Sequence, residues 1–255
     1  MYDIHAHILP GVDDGAADWE MALRMLDMAV ADGVKGIVAT PHVETGKFEP
    51  GRETVLALVA ELKERAGTRP IEIYPGSELM FRDDTLGGVV EGRRLTLNGG
   101  RYVLVELPGW FVPDAVYDFV FSLTSRGYTP IIAHPERNLR VQGDMGALCE
   151  LVRLGALTQL TGASLLGLFG PDAKKAASEM LKRRLAHVIA SDAHTDNRRT
   201  PVLSAAFKEA AKVVGVEKAR EMVDMVPRMI LSSQPYEPEE PVAPKGGFFR
   251  LFSRG

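Results

Sequence analysis

Hydrophobic and polar positions follow two rhythms along this chain. Short, apolar, β-rich runs recur at Tyr2–His5, Gly36–Thr40, Ile71–Pro75, Tyr102–Glu106, Pro130–Ala133, Leu157–Thr161 and Val188–Ser191, and they read as strands. The intervals carry helical spacing. In the first, Asp18 is placed as an N-cap, Ala22, Leu23, Met25, Leu26, Ala29 and Val30 recur every three to four residues, and Gly33 supplies a C-terminal stop. Similar patterns predict helices over Arg52–Ala66, Asp114–Arg126, Asp144–Leu154, Pro171–Arg184 and Val202–Val214. About seven strand–helix units in alternation predict parallel strands in a closed or nearly closed α/β barrel.

That pattern holds to about Gln234, which makes residues 1–234 one barrel domain. Residues 235–255 differ: PYEPEEPVAPK reads as an extended, poorly ordered linker, and GGFFRLFSRG ends the chain. Phe248, Phe249, Leu251 and Phe252 among Arg250 and Arg254 suit weak contact with a membrane surface or partner groove, against the plain alternative of a frayed tail.

Composition narrows the class. The 255 residues are 45% hydrophobic and 25% charged, without an apolar run of membrane-spanning length or a secretory signal, so a cytoplasmic protein is expected. A net charge of −4 disfavours general nucleic-acid binding. The single cysteine, Cys149, cannot form an internal disulfide, and its setting in ALCELVRL reads as core packing. Thiol-based phosphate chemistry would need an arginine six residues later, and that position is Gly155.

The histidines carry the chemistry. His5, His7, His42, His134 and His194 fall within or just beyond the carboxyl ends of strands, the rim where α/β barrels place their sites, whereas His187 precedes its strand and reads as structural. An isolated histidine is usually a buried hydrogen-bonded one, but five on one rim argue for a shared metal site. Acidic residues accompany them: Asp13, Asp14, Glu78, Glu106 and Asp192. Glu78 and Glu106 could individually be surface acids, yet each follows an apolar run where an unpaired charge is costly. Imidazole and carboxylate ligands without clustered cysteines suit Mn, Fe or Zn rather than a structural zinc site.

The segments HAHILPGVDDGA, ATPH, GSEL, HPER and SDAH together resemble the polymerase and histidinol phosphatase (PHP) superfamily. GALTQLTGASLLGLFG and the amino-terminal segment more narrowly resemble the CpsB/CapC/YwqE-type bacterial protein-tyrosine phosphatases, from the first residues to about Gln234. The resemblance implies a distorted (β/α)7 barrel, three divalent metals, usually manganese, and hydrolysis of phosphotyrosine. It places His5, His7, Glu78 and Asp192 on one metal, with Glu78 bridging to a second held by Glu106 and His134. His42, His194 and one of Asp13 or Asp14, with Asp14 favoured, would hold the third. It also implies a partner, a membrane-associated bacterial tyrosine kinase of capsule or exopolysaccharide synthesis, and so a position at the inner face of the membrane.

Three divalent ions against the carboxylates of Asp14, Glu78, Glu106 and Asp192 leave about +2, a match for a phosphate-monoester dianion. Such ions lower the pKa of bound water and supply a nucleophile near neutral pH, which makes His42 and Glu106 catalytic candidates as ligands. Arg137 in HPER is placed to stabilise phosphoryl charge, the alternative being a surface pair with Glu136. Arg198 and Arg199 are further substrate-binding candidates, though loop arginines are commonly just solvated. The rivals are a phosphatase of a small metabolite such as histidinol phosphate, and a non-catalytic regulatory module recruited by its tail.

Overall fold

The computed structural model describes residues 1–242. Its strands are β1 (Tyr2–Ala6), β2 (Gly36–Ala39), β3 (His42–Val43), β4 (Glu72–Pro75), β5 (Glu78–Met80), β6 (Tyr102–Glu106), β7 (Thr129–Ala133), β8 (Leu157–Thr161) and β9 (Val188–Ala190). Every ladder between them is parallel, in a sheet ordered β1-β2-β4 and another ordered β3-β5-β6-β7-β8-β9. The two sheets form one ring. β2 and β3 are halves of one path interrupted at Thr40 and Pro41, and β4 and β5 are halves of another interrupted at Gly76 and Ser77. The ring is completed between β9 and β1 by a parallel bridge from Ala6 to Ala193, with Asp192 N–H donating to His5 O at 2.9 Å and His7 N–H donating to Ala193 O at 2.7 Å. Seven strand positions thus encircle the core among the described residues, the closed or nearly closed barrel that the alternating pattern predicts, in the distorted (β/α)7 form that the resemblance implies.

Helices cover the outside: α1 (Trp19–Ala31), α2 (Arg52–Ala66), α3 (Thr85–Val90), α4 (Ala115–Thr124), α5 (Leu139–Gly143), α6 (Gly146–Arg153), α7 (Gly162–Leu166), α8 (Gly170–Lys182), α9 (Ser204–Val214), α10 (Val216–Arg220) and α11 (Val226–Leu231). Strand periodicity sorts the side chains. Tyr102 and Leu104 of β6 face the interior with Ile4, Val38, Ile131, Leu157 and Val188, while Val103 and Val105 face outward onto Val116, Phe119, Val120 and Leu123 of α4. α1 buries the stripe Ala22, Met25, Leu26 and Ala29, and Asp18 caps it by accepting from Met21 N–H at 2.8 Å, an interaction of about 1 kcal/mol. Gly33, at φ 86°, follows it as the expected left-handed stop.

Boundaries differ from the expected ones where backbone chemistry intervenes. The Gly36–Thr40 run stops at Ala39 because Pro41 has no amide donor, and His42 resumes pairing in β3, opposite Glu78 of β5. The break at Gly76 allows close approach: a Cβ there would lie 2.9 Å from Val38 Cγ1 and 3.0 Å from Leu97 Cδ2. The Asp144–Leu154 helix begins at Gly146, because Asp144 turns its side chain back to accept from Gly146 N–H at 2.9 Å. The Val202–Val214 helix begins at Ser204, where Asp32 of a distant loop accepts from the N–H groups of Leu203 and Ser204 at 2.7 and 2.9 Å. α3, α5, α7 and the helical stretch from Val216 to Leu231, which includes a π-helical turn at Glu221–Met225, are additions to the predicted elements.

Residues 235–242 contain neither helix nor strand, yet they are held to the barrel. Tyr236 packs on the core, Glu239 pairs with Lys218 at 2.9 Å and Arg184 at 3.2 Å, and Val242 N–H donates to Arg183 O at 2.9 Å. Phe248, Phe249, Leu251 and Phe252, read above as either a weak contact surface or a frayed tail, lie outside the described residues. No helix among the described residues is long and apolar enough to cross a membrane.

Candidate metal centre

The barrel brings its rim histidines and acids to one place. His5 and His7 leave β1, which carries a register shift between Asp3 and Ala6, the kind of irregularity that re-aims side chains at sites. His42 and Glu78 begin the resumed half-strands, Glu106 ends β6 on the same face as Tyr102 and Leu104, His134 follows β7, and Asp192 and His194 follow β9. His134 (φ 34°) and Asp192 (φ 53°) both hold left-handed backbone conformations, which cost of order 1–3 kcal/mol each in a non-glycine residue. The surrounding structure keeps both bends at the points where these side chains must turn inward.

Glu78 is the hub. Its Oε2 lies 3.3 Å from His5 Nε2, 3.3 Å from His7 Nε2 and 2.9 Å from His42 Nδ1, and its Oε1 lies 2.9 Å from His134 Nε2. Asp192 Oδ1 lies 3.4 Å from His5 Nε2 and 3.5 Å from His7 Nε2. Glu106 is 3.7 Å from both His42 Nδ1 and His134 Nε2. Asp14 Oδ1 is 3.5 Å from both His42 Nε2 and His194 Nε2. Four sets therefore offer ligand atoms all within 4.8 Å of one another: His7, Asp14, His42 and His194; His5, His134 and Asp192; His5, His7 and Glu78; and His42, Glu78 and Glu106.

The hydrogen-bonding partners orient these donors. His5 Nδ1–H donates to Gln159 Oε1 at 2.8 Å and His7 Nδ1–H donates to Asp13 Oδ2 at 2.7 Å, which leaves both Nε2 lone pairs facing each other across 3.1 Å. Two lone pairs at that distance repel unless a positive charge stands between or beside them. Glu78 Oε2, Asp192 Oδ1 and His194 Nε2 are buried without a hydrogen-bond partner among the described residues, a costly state that cation coordination relieves. The donor set therefore fits divalent cations.

For His5 and His7, burial opposes protonation, but the carboxylates around them outweigh it and raise both above the usual imidazole range, so a cation bound between their Nε2 atoms displaces protons. Burial opposes ionisation of Glu78, but the imidazoles of His5, His134 and His42 outweigh it and hold the carboxyl well below its usual range. Burial and the neighbouring Glu78 charge push Glu106 up to about 7. Burial, then Arg137, lowers His134 to about 4, and burial, then His7, lowers His194 to about 2, so both are neutral, the form that ligates metal.

Arg137 and Arg199 converge on one oxygen, Asp192 Oδ2: Arg137 Nη2 donates to it, and Arg199 Nη2 does so at 2.7 Å. Phe169 lies beneath both, 4.5 Å from the Arg137 guanidinium and 5.7 Å from that of Arg199. The alternative pairing of Arg137 with Glu136 does not occur, because Glu136 is buried and accepts from Thr161 N–H at 3.1 Å and Ser164 Oγ at 2.7 Å. Arg198 is exposed, and its side chain makes no hydrogen bond or ion pair among the described residues. Cys149 is buried in the helix-side core and its thiol is pushed up by burial. His187 stays apart from the cluster, accepting from Thr158 N–H at 2.9 Å. Gln159, Asp3, Glu136 and Phe169 were outside the predicted set. Gln159, and Asp3, whose Oδ1 accepts from the N–H groups of His5 at 3.3 Å and Ser191 at 3.0 Å, had a signal as polar residues within buried strands, whereas Phe169 had none.

A histidine–carboxylate cluster of this kind, at the carboxyl rim of an α/β barrel, defines the class. Residues 1–232 match the family described as capsular polysaccharide synthesis, CpsB/CapC, and the chain belongs to that family. It is 37% identical over 211 residues to CapC of Staphylococcus aureus, covering 82% of this chain and 83% of that protein. It is 35% identical over 201 residues to the tyrosine-protein phosphatase YwqE of Bacillus subtilis, covering 78% and 79%. Its fold is similar, with a TM-score of 0.92 and 32% identity over 96% of this chain and 100% of the other, to a crystal structure from the pair YwqE of Bacillus subtilis and CpsB of Streptococcus pneumoniae, described as unique metal-dependent tyrosine phosphatases.

Proposed function

We propose that this chain is a metal-dependent protein-tyrosine phosphatase acting in capsular or exopolysaccharide synthesis, on a membrane-associated tyrosine kinase at the inner membrane face. The observation that carries the reading is the set of partnerless buried atoms of Glu78, Asp192 and His194 within a cluster of five imidazoles. Membership of the CpsB/CapC family supports the role in capsule synthesis, and the relatives named tyrosine-protein phosphatases support the substrate.

Three divalent ions, manganese foremost, would be held by His5, His7, Glu78 and Asp192; by Glu78, Glu106 and His134; and by Asp14, His42 and His194. Bound there, they supply Lewis-acid charge and activation of water. The chain's own residues do the rest. Gln159 and Asp13 fix the rings of His5 and His7 so that each presents Nε2. Arg137 and Arg199 have forks of donors beside Asp192, suited to binding non-bridging phosphoryl oxygens and the charge that grows on them. Phe169 under both guanidinium planes limits their motion. A phenolate leaves without strong general-acid help, in keeping with a site whose protonatable histidines are committed as ligands.

The test is metal analysis of the purified protein beside hydrolysis of a phosphotyrosine peptide, a phosphoserine peptide and histidinol phosphate. Chelation is expected to abolish phosphotyrosine turnover and Mn2+ to restore it. Full activity after verified metal removal would sink the proposal, and preferential turnover of histidinol phosphate would reassign the substrate.

A further inference from the structure

Between β6 and α4 the chain runs Leu107-Pro108-Gly109-Trp110-Phe111-Val112-Pro113, seven residues without a charge. Trp110 is 74% exposed and Phe111 47%, and next to them Leu139, at the start of α5, is 61% exposed. The loop is nevertheless pinned. The buried amide of Asn138 donates to Pro108 O at 2.6 Å and Phe111 O at 3.0 Å, and Leu139 N–H donates to Gly109 O at 2.9 Å. The same Asn138 caps α5, its Oδ1 accepting from Arg140 and Val141 N–H. An indole held outward on a tethered backbone forgoes burial that a freer loop could give it, and contiguous apolar exposure of this kind marks an interaction surface.

Its position says what covers it. A cavity of about 120 Å3 lies directly inside the loop, lined by Gly109 and Asn138 at its edge and by Glu106, His134 and Arg137 of the cluster. A phosphoryl group that enters from this side carries its attached polypeptide over Trp110 and Leu139. On the other side of Arg137 lies the ring of Phe169, 4.5 Å from the guanidinium, preceded in the chain by Leu168, which is 67% exposed.

We propose that Trp110, with Phe111 and Leu139, is a peptide subsite that binds aromatic or aliphatic side chains flanking the phosphotyrosine of a protein substrate. The inference rests on the phosphatase reading above. The aromatic ring of a phosphotyrosine holds the peptide backbone away from the metal cluster, so the neighbouring residues land at rim height and not in the cavity. A platform of uncharged side chains favours apolar neighbours.

Steady-state kinetics of the Mn2+-loaded full chain would decide it, with p-nitrophenyl phosphate, a phosphotyrosine peptide flanked by leucine and tyrosine, and one flanked by serine. Trp110→Ala is expected to raise KM for the apolar-flanked peptide about 10-fold, with kcat and p-nitrophenyl phosphate turnover unchanged, and Trp110→Phe to recover most of the loss. An unchanged KM in an active variant would overturn the subsite. So would an equal loss on p-nitrophenyl phosphate, which would make Trp110 a support of the metal site, or a loss of self-association without a KM effect, which would make the patch a contact between copies. A wild-type chain inactive on all three substrates would remove the phosphatase reading itself, and the subsite with it.

Discussion

Asp13 stands behind His7, its Oδ2 accepting from the ring Nδ1–H at 2.7 Å and from the backbone N–H of His42 at 2.9 Å. Asp14, its neighbour, instead faces His42 and His194 at 3.5 Å. The two acids therefore divide the work, one orienting a ring and the other entering a ligand set. Asp13→Ala is expected to lower metal affinity roughly 10–100-fold while leaving the ligand count intact. Asp14→Ala is expected to cost one ion outright. Metal content after dialysis against graded chelator separates the two, and equal stoichiometric loss from both variants would contradict the division.

Gly15 closes the same loop at close range. A Cβ on it would lie 2.2 Å from His7 O and 2.5 Å from His7 Cβ, and neither atom is the free end of a flexible side chain. Gly15→Ala is expected to shift His7, lowering stability by about 1–3 kcal/mol and metal content along with it. Thermal unfolding of the metal-free and Mn2+-loaded forms measures both effects. An alanine variant with wild-type Tm in both forms would mean the loop relaxes without moving the ring.

The alternation of apolar runs and helical spacing made the barrel legible because fully buried parallel strands such as Gly36–Ala39 have little freedom in composition. The convergence of His5, His7, His42, His134 and His194 followed from strand ends lying on one rim. Periodicity carries no signal for the interruptions: the split at Pro41 and the short pairing of His42 with Glu78 depend on tertiary contact across the ring. Nor does it give the role of Asp13, since a carboxylate beside a ring and a carboxylate beside a cation look alike in one dimension, and for Gln159 it marks a polar residue in a buried strand without showing that the partner is His5.

Three arginines near the site have unequal surroundings. Arg137 and Arg199 reach Asp192 over Phe169, whereas Arg198 is exposed with an unengaged side chain among the described residues. Arg137→Ala and Arg199→Ala are each expected to lower kcat about 100-fold, the scale of losing one preorganised donor at a developing anion. Arg198→Ala is expected to change kcat less than about 3-fold, as for a solvated surface charge. Turnover at saturating Mn2+ provides the comparison, and a large effect from Arg198 alone would relocate the phosphate-binding edge.

Chemistry by a thiol and chemistry by metal ions give opposite results for Cys149. Because that thiol is buried and pushed up by its burial, Cys149→Ser is expected to leave turnover within about 2-fold, with a modest loss of stability from the buried hydroxyl. His42→Ala or Glu106→Ala is expected to reduce turnover by about 100-fold or more without unfolding the chain. Circular dichroism beside the assay checks folding. Inactivation of a folded Cys149→Ser protein would count against metal chemistry.

His187 gives the fold its own dependence on acid. Its Nδ1 accepts the N–H of Thr158 at 2.9 Å, which requires a neutral ring, and burial, then the charge of Lys218, lowers its pKa from 6.5 to about 3. Between those values the unfolded chain binds a proton that the native chain refuses, so the unfolded state gains as pH falls. The contribution is complete above about pH 6.5 and is lost progressively toward pH 3, with a ceiling on the order of 5 kcal/mol at 1.36 kcal/mol per unit. His187→Gln cannot take up that proton, so its denaturant midpoint is expected to fall less steeply than that of wild type over this range. The metal-free forms should be compared, because the rim carboxylates then titrate alike in both and cancel in the difference. Parallel curves for the two proteins would mean that His187 is protonated in the native state at no cost and that its Nδ1 is not the acceptor for Thr158.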